Sequence, residues 1–213
     1  MKTIYLYVLD TLADWEIGHL TSEVQSKRFF KKDAEKVAIK TVSHSKAPIH
    51  TMGGITILPD AIVSDIAAAE ENLLLLPGAD TWNDPRHDHI LDKAKEFLSL
   101  GGTVGAICGA TAALANKGML DSTPHTSNGP GFLEMVSPEY KGQEFYVDRS
   151  SVSANNLITA GSTNSLSWTK DIIESLDVFQ PDTLEAWYKY FDTGDANHFY
   201  ELMNTLSAAM NQS

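Results

Sequence analysis

The stretch GGTVGAICGATAALANKGML, residues 101–120, decides the fold of this chain. It contains the single cysteine, Cys108, where the apolar run TVGAIC meets the helix-like segment GATAALANKGML. Ala106 and Ala110, two residues before and after it, are small enough to let a strand and a helix pack closely around a bend. The pattern predicts a nucleophile elbow, a strained strand-to-helix turn, with cysteine in the place that serine takes in many hydrolases.

The position of Cys108 also bears on its acidity. A following helix would present unpaired N–H groups and a partial positive charge to the sulfur. A free thiol has a pKa of about 8.5, and a pKa lowered to about 6 would make it mostly thiolate at pH 7. A buried structural cysteine is the alternative, because cysteine packs as a small hydrophobe. The elbow favours a reactive thiol.

Strand-like and helix-like stretches alternate along the rest of the chain. We expect strands in KTIYLYVLD (2–10), KVAIKTVS (36–43) and NLLLLPGAD (72–80), and a Gly53-Gly54 hairpin in APIHTMGGITILPD (47–60). Apolar residues recur at helical spacing in HDHILDKAKEFLSLGG (87–102) and in three stretches after Ser162. They do so also in DWEIGHLTSEVQSKRFF (14–30), where we expect Asp14 to be the N-cap and Phe29 to lie on the apolar stripe of the helix. This alternation predicts a mainly parallel sheet covered on both faces, with sites beyond the carboxyl ends of its strands.

Composition limits the classes of function. The length of 213 residues and the 43% hydrophobic content predict one domain, 1–213, with a helical extension from about residue 181. A net charge of −12 argues against nucleic acid and anionic membranes as partners. The first residues are typical of a strand rather than a signal peptide, and a lone cysteine suits a reducing compartment. We therefore expect a cytoplasmic protein.

No metal or cofactor is expected. The segment DPRHDHI (84–90) places His87 and His89 at a helix entry without a third ligand, which favours a capped helix start. The glycine-rich stretches lack the contexts of nucleotide-binding loops.

Four stretches together resemble the ThiJ/PfpI family, relatives of the PfpI-type intracellular proteases within the class I glutamine amidotransferase-like superfamily. They are LLLLPGAD (73–80), GGTVGAICGATAALANKGMLD (101–121), HTSNGPGF (125–132) and NLITAGSTNSLSWTKDIIESL (156–176). The similarity runs from the first strand to about residue 178. It implies an α/β fold, a flavodoxin-like three-layer sandwich that is usually a homodimer, with a nucleophilic cysteine at the elbow.

The resemblance further implies a glutamate near the sulfur, and the matching residue is Glu16 in DWEIG. Such a carboxyl, when protonated, would donate to a thiolate or to a sulfenate or sulfinate. From position alone Glu16 would be a solvated acid in a first helical turn. The PGAD loop offers the N–H groups of Gly78 and Ala79, which could form an oxyanion hole with that of Gly109, or a plain turn.

The expected histidine is where the chain departs from the family pattern. Many relatives pair the cysteine with the histidine of a Thr-Thr-His stretch, whereas HTSN places Asn128 there and His125 three residues earlier. Asparagine can orient a ligand but cannot act as a general base near pH 7. Either His125 reaches the site or the dyad is absent, so a glutamine amidotransferase is not expected. Trp15 and Trp82 adjoin the site loops and are candidate pocket walls.

Three functions are consistent with these residues. The first is a cysteine-dependent enzyme acting on a small-molecule or peptide substrate, either a hydrolase of amide-like bonds or a glyoxalase or deglycase type acting on reactive aldehydes. The second is a redox-sensing or stress-response protein whose Cys108 is reversibly oxidised. The third is a non-catalytic binding module. The fold alone does not choose among them.

Overall fold

A mainly parallel seven-stranded sheet forms the centre of the computed structural model, which describes residues 1–210, with side chains as far as Ser207. The strands are β1 Lys2–Tyr7, β2 Val37–Ser43, β3 Ile49–His50, β4 Thr56–Ile57, β5 Ala61–Ile62, β6 Leu73–Leu76, β7 Thr103–Ile107, β8 Ser151–Ala154 and β9 Leu157–Ala160. The order across the sheet is β5-β2-β1-β6-β7-β9-β8, with only β8 antiparallel to its neighbour among these. β3 and β4 form a separate hairpin.

Helices cover both faces of the sheet. They are α1 Asp14–Ser26, α2 Asp88–Ser99, α3 Gly109–Asn116, α4 Phe132–Val136, α5 Ser165–Leu176, α6 Pro181–Thr193 and α7 Ala196–Met210. The connection from β1 to β2 runs one way across the sheet and that from β6 to β7 the other. Since such crossovers are right-handed, α1 lies on one face and α2 on the opposite face. α5 packs against α1, which completes the predicted flavodoxin-like three-layer α/β sandwich.

The core is built from apolar runs that are buried on both sides. All four residues of β6 are buried, as expected of a strand between two helical layers. Gly105 in β7 permits close packing, because a Cβ there would lie 2.7 Å from Leu75 and 3.1 Å from Trp168. The reversal of strand order between β1 and β6 places the loops after β1, β6 and β7 around one crevice.

Two predicted details of α1 are wrong. The N-cap is Ala13 rather than Asp14, since the Asp14 carboxylate accepts the N–H of Gly53 at 2.6 Å in the predicted hairpin. The helix ends at Ser26, so Phe29 is buried outside it. In both cases a tertiary contact replaces the local interaction that the sequence pattern predicts.

The C-terminal helices α6 and α7 follow the last strand and α5. α6 starts at Pro181 and packs on α5 and α7. It is joined to α1 through Trp187, whose indole N–H donates to the Glu23 carboxylate at 3.0 Å, and both side chains are buried. Arg28 donates to the same carboxylate. Within residues 1–210, no helix is both long and apolar enough to cross a bilayer.

Glu23→Ala should lower the free energy of unfolding by about 3 kcal/mol, because it leaves the buried indole N–H of Trp187 without an acceptor. Urea denaturation followed by circular dichroism measures this loss. The matched control is Glu185→Ala in α6, which removes half-exposed ion pairs to Lys170 and Lys189 and should cost at most about 1 kcal/mol. Equal losses in the two variants would contradict the role given to Glu23.

Candidate active site

Cys108 occupies a strained turn between β7 and α3. Its backbone has φ 57° and ψ −125°, a conformation that few residues other than glycine adopt. The turn is held by the Cys108 N–H, which donates to the carbonyl of Ala160 at the end of β9, 3.0 Å away. The side chain is half-buried. This is the strand-to-helix elbow expected from the sequence.

Thr111 secures the elbow from the first turn of α3. Its hydroxyl lies 2.6 Å from the Cys108 carbonyl oxygen and 2.6 Å from the Ser127 hydroxyl. Thr111 is not among the candidate site residues that the sequence motifs indicated. Its only signal was a hydroxyl three residues after the cysteine, a spacing that lets a helix side chain reach back to the preceding turn.

Glu16 lies in the first turn of α1 and is fully buried rather than solvated. Its Oε2 accepts the Gly78 N–H at 2.5 Å, whereas its Oε1 has no hydrogen-bond partner among the described residues. A Cβ built on Gly78 would lie 2.8 Å from both Glu16 Oε1 and the Cys108 Cβ. The glycine therefore lets the carboxyl and the cysteine side chain lie against each other.

Burial raises the pKa of Glu16 to about 7, although the Gly78 N–H and contact with the Cys108 thiol lower it in part. Burial also raises the pKa of the Cys108 thiol, as does the nearby Glu16 charge, against the lowering effects of Asn128 and the Gly109 N–H. The expected fall of the thiol pKa to about 6 is therefore wrong for this structure. Loss of hydration outweighs the helix N-terminus and the amide donors.

The predicted oxyanion donors are only partly available. The Gly78 N–H is occupied by Glu16, which excludes it from that role in this structure. The Ala79 N–H makes no hydrogen bond to any residue in 1–210, and it lies 3.7 Å from the Cβ position of Gly109. The backbone of Ala79 thus lies next to that of Gly109, the residue that follows Cys108.

Asn128, not His125, contacts the thiol. Asn128 Nδ2 donates to Cys108 Sγ at 3.5 Å, and its Oδ1 accepts the Ser162 N–H at 2.8 Å. His125 is completely buried, with Nδ1 2.7 Å from the Thr123 carbonyl and Nε2 2.7 Å from the Tyr140 hydroxyl. Both of its ring nitrogens are therefore engaged away from the sulfur, and a Cys–His dyad is not formed.

The two tryptophans take different positions. Trp82 is buried behind the elbow, with its ring 3.5 Å from the Cβ position of Gly109 and its indole N–H on the Pro77 carbonyl. Trp15 is 52% exposed and donates to the Ser162 carbonyl at 3.1 Å. The first is a packing support and the second holds a surface loop.

A polar cavity of about 420 Å³ opens beside Asn128. Neither tryptophan lines it. Ser127 and Gly129 line it beside Asn128, and its remaining lining residues come from the loops before β8 and after β9, among them Asp148, Arg149, Ser162, Thr163 and Asn164. Within residues 1–210, no three His, Cys, Asp or Glu side chains are grouped to hold a metal ion.

This elbow can be compared with those of known proteins. The family model of the DJ-1/PfpI family matches residues 2–175, most of the chain. The chain belongs to the DJ-1/PfpI family. The resemblance read from the sequence motifs is thereby confirmed.

Two proteins of Bacillus subtilis strain 168 are similar to this chain in sequence. "Uncharacterized protease YoaZ" is 44% identical over 206 residues, which cover 97% of this chain and 98% of the relative. "Uncharacterized protease YdeA" is 30% identical over 87% of this chain and 88% of the relative. A crystal structure of a thiJ/pfpI family protein from Bacillus anthracis superposes with a TM-score of 0.93 at 41% identity, covering 96% of this chain and 97% of that one.

Gly78→Ala should displace the Glu16 carboxyl or the elbow, since the new methyl group would lie 2.7 Å from Glu16 Oε2 and 2.8 Å from the Cys108 Cβ. We expect a loss of about 2 kcal/mol in the free energy of unfolding, measured by urea denaturation. Gly18→Ala in α1 is the control. Its methyl group would have no neighbour within 4 Å and should stabilise the helix by about 0.5 kcal/mol. A Gly78→Ala variant as stable as the wild type would disprove the close packing.

Proposed function

We propose that this protein is a cysteine-dependent hydrolase of amide or peptide-like bonds, in which Cys108 is the nucleophile and Glu16 exchanges its proton. The observation that carries the proposal is the fully buried Glu16 carboxyl, whose unpartnered oxygen lies against the cysteine side chain. The two B. subtilis relatives are named proteases, which supports hydrolysis as the reaction type.

In the first step the sulfur attacks the substrate carbonyl carbon while the thiol proton passes to ionised Glu16. A carboxylate with a pKa of about 7 is suited to this task, because a general base works best near the ambient pH. The raised pKa of the thiol also fits this order of events. The sulfur then stays protonated until it reacts, and only one negative charge is buried at a time.

The negative charge that develops on the carbonyl oxygen needs donors. We assign this role to the N–H groups of Ala79 and Gly109, which adjoin beside the sulfur. Asn128 keeps the sulfur oriented through its Nδ2 contact. Asn128 itself is held by its bond from the Ser162 N–H, so the loop after β9 supports the geometry.

In the second step Glu16 returns the proton to the leaving amine, and the acyl group remains on sulfur as a thioester. Water then attacks the thioester and gives a proton to Glu16, and Glu16 passes that proton to the departing sulfur as the C–S bond breaks and the carboxylic acid is released. An α-oxo aldehyde would meet the same groups and form a hemithioacetal instead. Glyoxalase-type turnover is therefore the variant of this chemistry to assay beside amide hydrolysis.

Replacing the base should lower turnover and change its pH dependence. We expect Glu16→Gln to reduce kcat/KM about 10²- to 10⁴-fold, and Cys108→Ser to abolish activity on chromogenic peptide anilides. Wild-type activity should rise with pH and level off above about pH 7, because protonated Glu16 cannot accept a proton. Glu185→Gln, the same change on the surface of α6, should leave kcat/KM and its pH dependence unchanged. Full activity in Glu16→Gln would remove Glu16 from the mechanism.

A second candidate function is reversible oxidation of Cys108, favoured by the donors around a half-buried sulfur. Peroxide would convert the thiol to a sulfenic acid with release of water, and a second equivalent would give a sulfinate with release of a second water and a proton. Protonated Glu16 would donate to the new oxygen through its unpartnered Oε1. Mass spectrometry should then find a stable sulfinate with low peroxide in the wild type. Glu16→Asp, which withdraws the carboxyl, should proceed to the sulfonic acid. A sulfinate equally stable in both proteins would exclude this role for Glu16.

A further inference from the structure

The cavity beside Asn128 contains one cationic side chain, that of Arg149. The side chain is exposed and forms no ion pair with any residue in 1–210. One acid, Asp148, lines the same cavity, and the remaining side chains carry hydroxyl and amide groups.

The backbone of Arg149 is fixed to the loop that carries Asn128. Its carbonyl oxygen accepts the hydroxyl of the buried Thr126 at 3.0 Å, and the Thr126 N–H donates to the Thr159 hydroxyl at 2.9 Å in β9. Thr126 is two residues before Asn128. The cation and the amide that contacts the sulfur are therefore positioned by one short segment, which is tied to a central strand.

We propose that this cavity binds the free carboxylate of an N-acyl amino acid or of a peptide C-terminus. The inference deepens the proposed hydrolase function and rests on it for the identity of the reacting group. A guanidinium presents parallel N–H donors that match the two oxygens of a carboxylate. Asp148 supplies an acceptor for the amide N–H that such a ligand carries close to its carboxylate.

The size and position of the cavity agree with this ligand class. A volume of about 420 Å³ lies within the range of small-molecule sites and accommodates one or two amino-acid residues. Asn128 lines the cavity and also contacts Cys108 Sγ. A ligand in the cavity would therefore be separated from the sulfur only by the Asn128 side chain. The carbonyl to be attacked would then be the amide close to the free carboxylate.

Protection of the thiol tests the proposal without relying on turnover. N-acetylglycine should slow the alkylation of Cys108 by iodoacetamide, and N-acetylglycinamide, which lacks the negative charge, should slow it much less. In Arg149→Gln the concentration of N-acetylglycine that gives half-protection should rise about tenfold. Lys95→Gln removes one exposed cation from α2, which does not line the cavity, and should behave as the wild type. Equal protection by both compounds, or no change in Arg149→Gln, would overturn the proposal.

Calorimetric titration of Cys108→Ser with N-acetylglycine provides a measurement that does not depend on thiol reactivity. Binding that weakens about tenfold when Arg149→Gln is added supports the carboxylate site even if no hydrolysis is found. Hydrolysis without such binding would leave the proposed function standing and refute the carboxylate site. The two inferences can therefore fail separately.

Discussion

The burial of a carboxyl group beside a thiol is the constraint on which this site depends. Glu16 has lost its water and retains one backbone N–H, and its second oxygen lies against the cysteine. If the Glu16 carboxyl and the Cys108 thiol were both ionised, their two buried negative charges would repel each other strongly. A single negative charge on the pair is therefore favoured over two, and the pKa values of both groups are raised by burial.

The three-layer fold brings this pair together from distant parts of the chain. Glu16 follows β1, Gly78 follows β6 and Cys108 follows β7, so parallel neighbouring strands deliver all three to one edge of the sheet. Rigid strands and a strained turn set the separation before any substrate arrives. α1 also carries Glu23, which accepts a hydrogen bond from Trp187 in α6. The C-terminal helices thereby support the element that holds the carboxyl.

Local sequence patterns predicted the features that depend on neighbouring residues. Small residues on either side of Cys108 indicated the bend, and the alternation of strand-like and helix-like stretches indicated the parallel sheet. The predictions that failed depended on distant partners. Asp14 accepts a hydrogen bond from Gly53 instead of capping its helix. For His125 the sequence left two alternatives open, and the choice between them depended on a distant partner, Tyr140, which contacts its ring. The thiol pKa was misjudged because burial by other segments cannot be read from the elbow itself. No sequence motif indicated Arg149, because its proposed role depends on the cavity that it lines in the folded chain.

The two margins of the central sheet carry a consequence for self-association. One margin is β5, only two residues long, and the other is β8, an antiparallel strand of four residues. Such short edge strands offer few free backbone donors and acceptors with which a strand of another chain could pair. Growth of the central sheet from one molecule into the next is therefore disfavoured.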